Sequence, residues 1–257
     1  MLELRKFLAP EIIFGVNSIT LTENYAENYE IQKALIVTDK GVINAGWTVK
    51  VTDEFIKNNI EFKVYDNVSP NPRDTEVMEG AKVFTQCDCD SIIAVGGGSP
   101  MDCAKAIGVI ISNGGHITDY EGVDKIEHPI PPLICIPTTG GTSADVSQFS
   151  IILDTERKIK IAIISKTIVP DLSLIDPQTL TTMPSYLSAC TGMDALSHAF
   201  EAYVSNASSI LTDINAFEAI KKISQNLVSS IQNPSDLTYR NNVMAGSLLA
   251  GLAFSNA

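Results

Sequence analysis

The stretch SIIAVGGGSPMDCAKAI, from Ser91 to Ile107, constrains the fold of this chain more than any other. Ile92, Ile93, Ala94 and Val95 read as a strand buried on both faces, the kind found inside a parallel sheet. Gly96, Gly97 and Gly98 follow, and without Cβ atoms they let the backbone turn sharply and let an anion approach the N–H groups. Ser99 is then expected to cap a helix, with Pro100 at its first position and Asp102 completing a capping box. Such a helix start offers unpaired donors and a positive dipole end, which suits a phosphate or pyrophosphate. The same residues also fit a plain glycine-rich turn, and the Asp102 carboxylate competes with any anion for the dipole.

The rest of the chain extends this pattern. Strands are expected at 11–14, 34–38, 62–65, 133–136, 146–153, 159–164 and 172–175. Helices are expected around 21–29, from Asp39-Lys40-Gly41 through about Lys57, and over 73–86. Strands alternating with helices over roughly 180 residues imply a parallel sheet covered on both faces. From about Tyr186 the reading is helical only, over 186–204, 210–225 and roughly 236–257. The expected organisation is an α/β domain over residues 1–180, with a boundary near Asp176-Pro177 and the TTMP segment, then an all-α domain over 181–257. Met244–Phe254 is apolar and ends without a C-cap glycine, so the expectation is that a partner copy covers it or that the chain is part of something longer.

Composition narrows the partners. Eighteen basic against thirty acidic residues give a net charge of −12, which disfavours nucleic acid and anionic membranes. A bound phosphate therefore has to rely on backbone donors. The N-terminal MLELRKFLAPEIIFG lacks an apolar h-region, no window reaches a transmembrane length, and a cytoplasmic location is expected. Five cysteines, including a C-x-C at Cys87 and Cys89, show no zinc-ligand spacing and read as structural thiols.

Four groups of residues could carry chemistry. Asp39 ends a buried strand, where it could accept hydrogen bonds from ribose hydroxyls and repel a 2′-phosphate, or merely cap the next helix. It precedes Gly96 by 57 residues, which is not the ordinary Rossmann spacing. PTTGGTSAD places Thr138, Thr139, Thr142 and Ser143 around two glycines, either as a hydroxyl-rich ligand loop or as a self-bonded turn. Asp194 and His198 lie four apart on one helix face, as metal ligands or as an ordinary hydrogen-bonded pair. Lys105 and Lys160 are the basic residues best placed to reach a phosphate, or else lysines whose stems cover apolar surface.

Together these motifs resemble the iron-containing (group III) alcohol dehydrogenases. The matching stretches are VTDKG (37–41), AVGGGSPMDCAKAI (94–107), PTTGGTSADVSQFSII (137–152), KIAI (160–163), Asp176-Pro177 and TGMDALSHAFEAYVS (191–205). The resemblance implies a Rossmann-like dinucleotide-binding domain followed by a helical domain, with the active site between them. It implies that Gly96, Gly97, Gly98 and Ser99 line the pyrophosphate of NAD, that Asp102 belongs to the same cofactor site, and that Asp39 holds the adenosine ribose. Thr138, Thr139 and Thr142 would line the cleft, with Phe149 and Lys160 towards the ribose and nicotinamide. Asp194 and His198 match the first two of four ligands to a divalent metal, Fe2+ or Zn2+, and the other two have no counterpart in this sequence. GTSAD (141–145) stands where GTGSE is more usual. The activity implied is hydride transfer between a small primary alcohol or diol and NAD, in a homo-oligomer. A polyol dehydrogenase and a catalytically inactive NAD-binding or partner-binding remnant are the alternatives.

Overall fold

The computed structural model describes residues 6–257. The first five residues of the stretch read for a leader lie outside it. Six parallel strands, β1 (Glu11–Phe14), β2 (Lys33–Val37), β3 (Glu61–Tyr65), β4 (Ser91–Gly96), β6 (Leu133–Pro137) and β9 (Leu172–Ile175), form one sheet in the order β1-β9-β6-β4-β2-β3. The period-2 alternation of strand side chains splits the apolar residues between the two faces. Leu35, Val37, Ile92, Ala94, Leu133 and Cys135 meet helices α4 (Asp74–Gln86) and α5 (Gly98–Asn113). Ala34, Ile36, Ile93, Val95, Ile134 and Ile136 meet α1 (Thr22–Asn28) and α3 (Trp47–Lys57) on the other face. Each fully buried Ile, Leu or Val contributes about 2 kcal/mol, so β4 and β6 are fixed at the centre of the sheet.

Three helices complete the described residues: α6 (Ser185–Val204), α7 (Ile210–Gln232) and α8 (Leu237–Phe254). Ile175, Leu180 and Met183 pack with Ala195, Ala199, Ile223, Val243 and Met244, joining the end of β9 to the bundle. The α/β-then-helical fold class therefore holds.

Four local expectations need correction. The helix expected from residues 39–41 to 57 is two, α2 (Lys40–Asn44) and α3, broken where Gly46 adopts φ +85°. The strand expected at 146–153 is β7 (Phe149–Asp154), and with β8 (Ile159–Ile164) it forms an antiparallel hairpin. With β5 (Gly122–Val123) this hairpin makes a separate three-stranded sheet, because only alternate residues of β7 are fully buried and the strand has no second face to bury. The apolar α8 is already covered within the chain: Met244, Ala250 and Ala253 are buried. The uncovered large apolar side chains lie on α6 and α7 instead, with Phe200, Val204, Ile210, Ile214 and Phe217 exposed around the turn between them. Cys103 and Cys135 are buried free thiols as expected, whereas Cys190 is exposed on α6. No described helix is long and apolar enough to cross a membrane.

Candidate functional site

In chain order the sheet grows outward from β2 to β3 and then, from β4, in the opposite direction. Open α/β sheets bind ligands in the crevice beyond the strand ends at such a reversal. Asp39 follows β2 and the glycines follow β4, so the topology brings them to one crevice although 57 residues separate them.

The glycine turn is built differently from the expected capping box. Gly96 has φ +155°, and a Cβ there would stand 2.6 Å from the Pro100 ring. Gly97, in extended conformation, is the N-cap of α5 and offers no side chain to cap it. Ser99 is thus the second helical residue, and its Oγ accepts the Asn71 N–H at 3.2 Å, drawn there by the neighbouring loop. Since neither Ser99 nor Asp102 caps the helix, the Gly98 and Ser99 N–H groups have no side-chain acceptor among the described residues.

The threonine loop lies directly on this turn. The Thr138 N–H donates to the Gly96 carbonyl at 2.8 Å. A Cβ on Gly97 would come within 3.0 Å of Thr139 Cγ2, and one on Gly98 within 2.8 Å of Thr142 Oγ1. Only glycine lets the two loops close up while leaving the amides accessible, and the result is a cradle of N–H and hydroxyl donors fitted to a pyrophosphate. Asp39 caps α2, its Oδ1 accepting the Val42 N–H at 2.9 Å. Its Oδ2 has no hydrogen bond among the described residues.

The three charged side chains near the cradle divide by burial. Lys105 does not reach the crevice. It is fully buried, its Nζ donating to the Ser147 carbonyl at 2.6 Å, the Phe149 carbonyl at 3.0 Å and Ser147 Oγ at 3.3 Å. Lys160 lies exposed on β8 and remains available. Asp102 sits one turn into α5, where burial pushes its carboxyl up to about 7 against the pull of Lys105, the Ile151 backbone N–H and Lys160. A carboxyl that takes a proton near neutrality repels a phosphate less than a fixed carboxylate does. The raised value also predicts a pH signature. The folded state holds a proton that the unfolded state releases near pH 4, so stability falls as pH rises from about 4 to about 7 and is flat above. In chemical denaturation, Asp102→Asn is expected to abolish that fall and to leave the protein more stable at pH 8 by on the order of 2 kcal/mol.

On α6, His198 Nε2 and Asp194 Oδ1 are 3.8 Å apart, too far for the hydrogen bond that the plainer reading required. The pair is therefore not consumed by its own contact. The imidazole stacks on Phe254 of α8 with ring centroids 4.3 Å apart, and its buried Nδ1 has no partner among the described residues. A carboxylate and an imidazole with uncommitted lone pairs fit two positions around a divalent metal. Among the described residues no group of three or more His, Cys, Asp or Glu side chains is arranged to hold one. His116 is committed to its own 3-10 turn, with Nδ1 2.8 Å from Thr118 Oγ1.

Phe254 is the residue that sequence reading missed. It touches His198 on one side and Phe149 on the other, at 6.1 Å between centroids, and so links the Asp194–His198 face of α6 to the start of β7. Its only signal was its place in an apolar helix, which reads equally as core. The unusual GTSAD also finds its place. Ser143, with φ +50°, donates from Oγ to the Ser247 carbonyl at 2.7 Å, and buried Asp145 accepts from Ser173 Oγ at 2.7 Å.

With this geometry in view, residues 9–177 match the family model for iron-containing alcohol dehydrogenase, and residues 188–257 match that family's C-terminal model. The chain belongs to the iron-containing alcohol dehydrogenase family. It is 40% identical to a 1,3-propanediol dehydrogenase of Klebsiella pneumoniae over 254 residues, covering 98% of this chain and 66% of that protein. It is 36% identical to an NAD-dependent methanol dehydrogenase of Bacillus methanolicus, covering 97% of this chain and 66% of that one. A crystal structure of 1,3-propanediol oxidoreductase superposes with a TM-score of 0.97 at 38% identity, covering 99% of this chain and 67% of its own. The chain therefore spans about two thirds of the length of these members of the family.

Proposed function

We propose that this chain carries the NAD site and two metal ligands of an alcohol dehydrogenase that moves hydride between a small primary alcohol or diol and the nicotinamide. The observation that carries this reading is the uncapped α5 start, walled by Gly97, Gly98, Thr139 and Thr142, at the sheet's reversal point. The α5 amides and the threonine hydroxyls bind the pyrophosphate with neutral donors, as a chain of net charge −12 requires. Asp39, with one oxygen committed to its cap, accepts from the adenosine ribose with the other and disfavours a 2′-phosphate. Lys160 supplies the exposed cation of the crevice. Phe149 and Phe254 form an apolar wall that keeps water from the path between cofactor and α6. Asp194 and His198 hold one side of a divalent metal, Fe2+ or Zn2+, whose Lewis acidity lowers the pKa of an alcohol when it is bound. The propanediol and methanol dehydrogenases among its relatives support a small alcohol, and the NAD-dependent methanol enzyme supports NAD. The homo-oligomer and the cytoplasmic setting belong to the same proposal.

Titration calorimetry with NAD and NADP, alongside metal analysis of the wild type and His198→Ala, tests this reading. NAD is expected to bind at least tenfold more tightly than NADP, and the variant to retain NAD while losing metal. Absence of NAD binding overturns the proposal. NAD binding with no metal in either protein selects the inactive-remnant reading.

A further inference from the structure

The threonine loop is held from the far side by α8, most tightly at Ser143. Ser143 is buried, adopts φ +50°, and donates to the Ser247 carbonyl at 2.7 Å, with Ser247 Oγ 3.1 Å away. Ser247 Oγ also lies 3.4 Å from the Gly141 carbonyl, so both sides of Thr142 are tied to the same turn of α8. The approach is close enough that a Cβ on Gly251 would overlap Ser143 Cβ. A serine persists in the left-handed region only where its surroundings hold it there. Thr142, the next residue back, carries the hydroxyl that stands over Gly98. The path from α8 through Ser143 and Thr142 to the cradle is thus continuous, and its links are hydrogen bonds and direct contacts.

We propose that Ser143 is a positioning residue, a latch by which α8 fixes the Thr138–Thr142 loop in the conformation that binds the cofactor. This rests on the reading that NAD occupies the glycine cradle. Its consequence is that α8, through Ser143, sets the geometry of the pyrophosphate site. Losing the hydroxyl frees the loop and scatters the threonine donors, which costs affinity without removing any ligand contact. Ser143→Gly is the informative variant, because it removes the latch while relieving the backbone at this position.

The test compares the wild type, Ser143→Ala and Ser143→Gly in three measurements. These are amide hydrogen exchange without cofactor, NAD titration and thermal melting. Both variants are expected to exchange about tenfold faster over residues 138–146 and to bind NAD about five- to tenfold more weakly. Ser143→Gly is expected to melt within a few degrees of the wild type, so that the loss of affinity is not a loss of fold. Unchanged loop exchange overturns the latch whatever happens to NAD. So does unchanged affinity in variants that exchange faster, since the serine is then a packing residue. Faster loop exchange in the variants of a protein whose wild type binds no NAD keeps the latch on the loop and removes the cofactor reading.

Discussion

Gly98→Val is expected to weaken NAD binding by a hundredfold or more while leaving the melting temperature nearly unchanged. Gly98 is the first residue of α5 and is partly exposed, so a larger side chain meets the crevice and not the core. Its Cβ would already lie 2.8 Å from Thr142 Oγ1, and that hydroxyl must swing away to make room. The two valine methyl groups would then stand over the first-turn amides, where the pyrophosphate is expected. Hydrogen bonds to a charged group contribute about 1.5–3 kcal/mol each, so losing two of them accounts for a hundredfold. Titration calorimetry and a thermal melt on the same sample check both halves of the expectation. A hundredfold loss with a collapsed melting temperature would make Gly98 a folding residue, and an unchanged affinity would place the pyrophosphate elsewhere. Gly96→Val would be a poorer experiment. At φ +155° and 2.6 Å from the Pro100 ring, it would damage the strand-to-helix turn itself.

How much of this could be read from the sequence depended on whether the cause was local. The β4 run Ile92–Val95 and the apolar composition of α8 are local signals, and both elements formed near where expected, whereas α7 runs to Gln232, seven residues past its expected end. Asp39 was legible as a strand-end acid, yet its partnership with Gly96–Gly98 follows only from the order β4-β2-β3, which adjacent residues do not encode. The cap of α5 was misplaced by two residues because Ser99 was diverted to the Asn71 N–H, a contact across 28 positions. For Lys105 the sequence leaves open a reach to a phosphate and a stem covering apolar surface. The helical period instead turns it into the core, towards β7. Likewise, the pairing of Phe254 with His198 and the docking of Ser143 on Ser247 join α8 to residues far off in sequence. Local rules gave the elements and the candidate residue types. Contacts between distant elements decided which of them face the crevice.

Lys105→Met is expected to lower stability by about 3 kcal/mol, the largest loss expected from a single side chain near this site. The lysine is fully buried, and burial holds its ammonium below the ordinary lysine range. Its three donors serve the Ser147 carbonyl, the Phe149 carbonyl and Ser147 Oγ, so one side chain fastens the start of β7 to α5. Methionine fills a similar volume but donates nothing, which leaves two backbone carbonyls without their partner in a dry environment. An unsatisfied buried carbonyl costs about 1–3 kcal/mol, and this outweighs the gain from no longer burying a charge. The substitution also removes the cation that most opposes protonation of Asp102, so that carboxyl should titrate higher still, as NMR of its side chain would show. Urea denaturation measures the first effect. For a domain of this size about 3 kcal/mol corresponds to a melting temperature lower by roughly 6–12 °C. A neutral or stabilising result would mean that the buried charge is a net liability kept for another reason. Positioning Phe149, whose carbonyl it holds and which is proposed to wall the nicotinamide path, would then be the first to test.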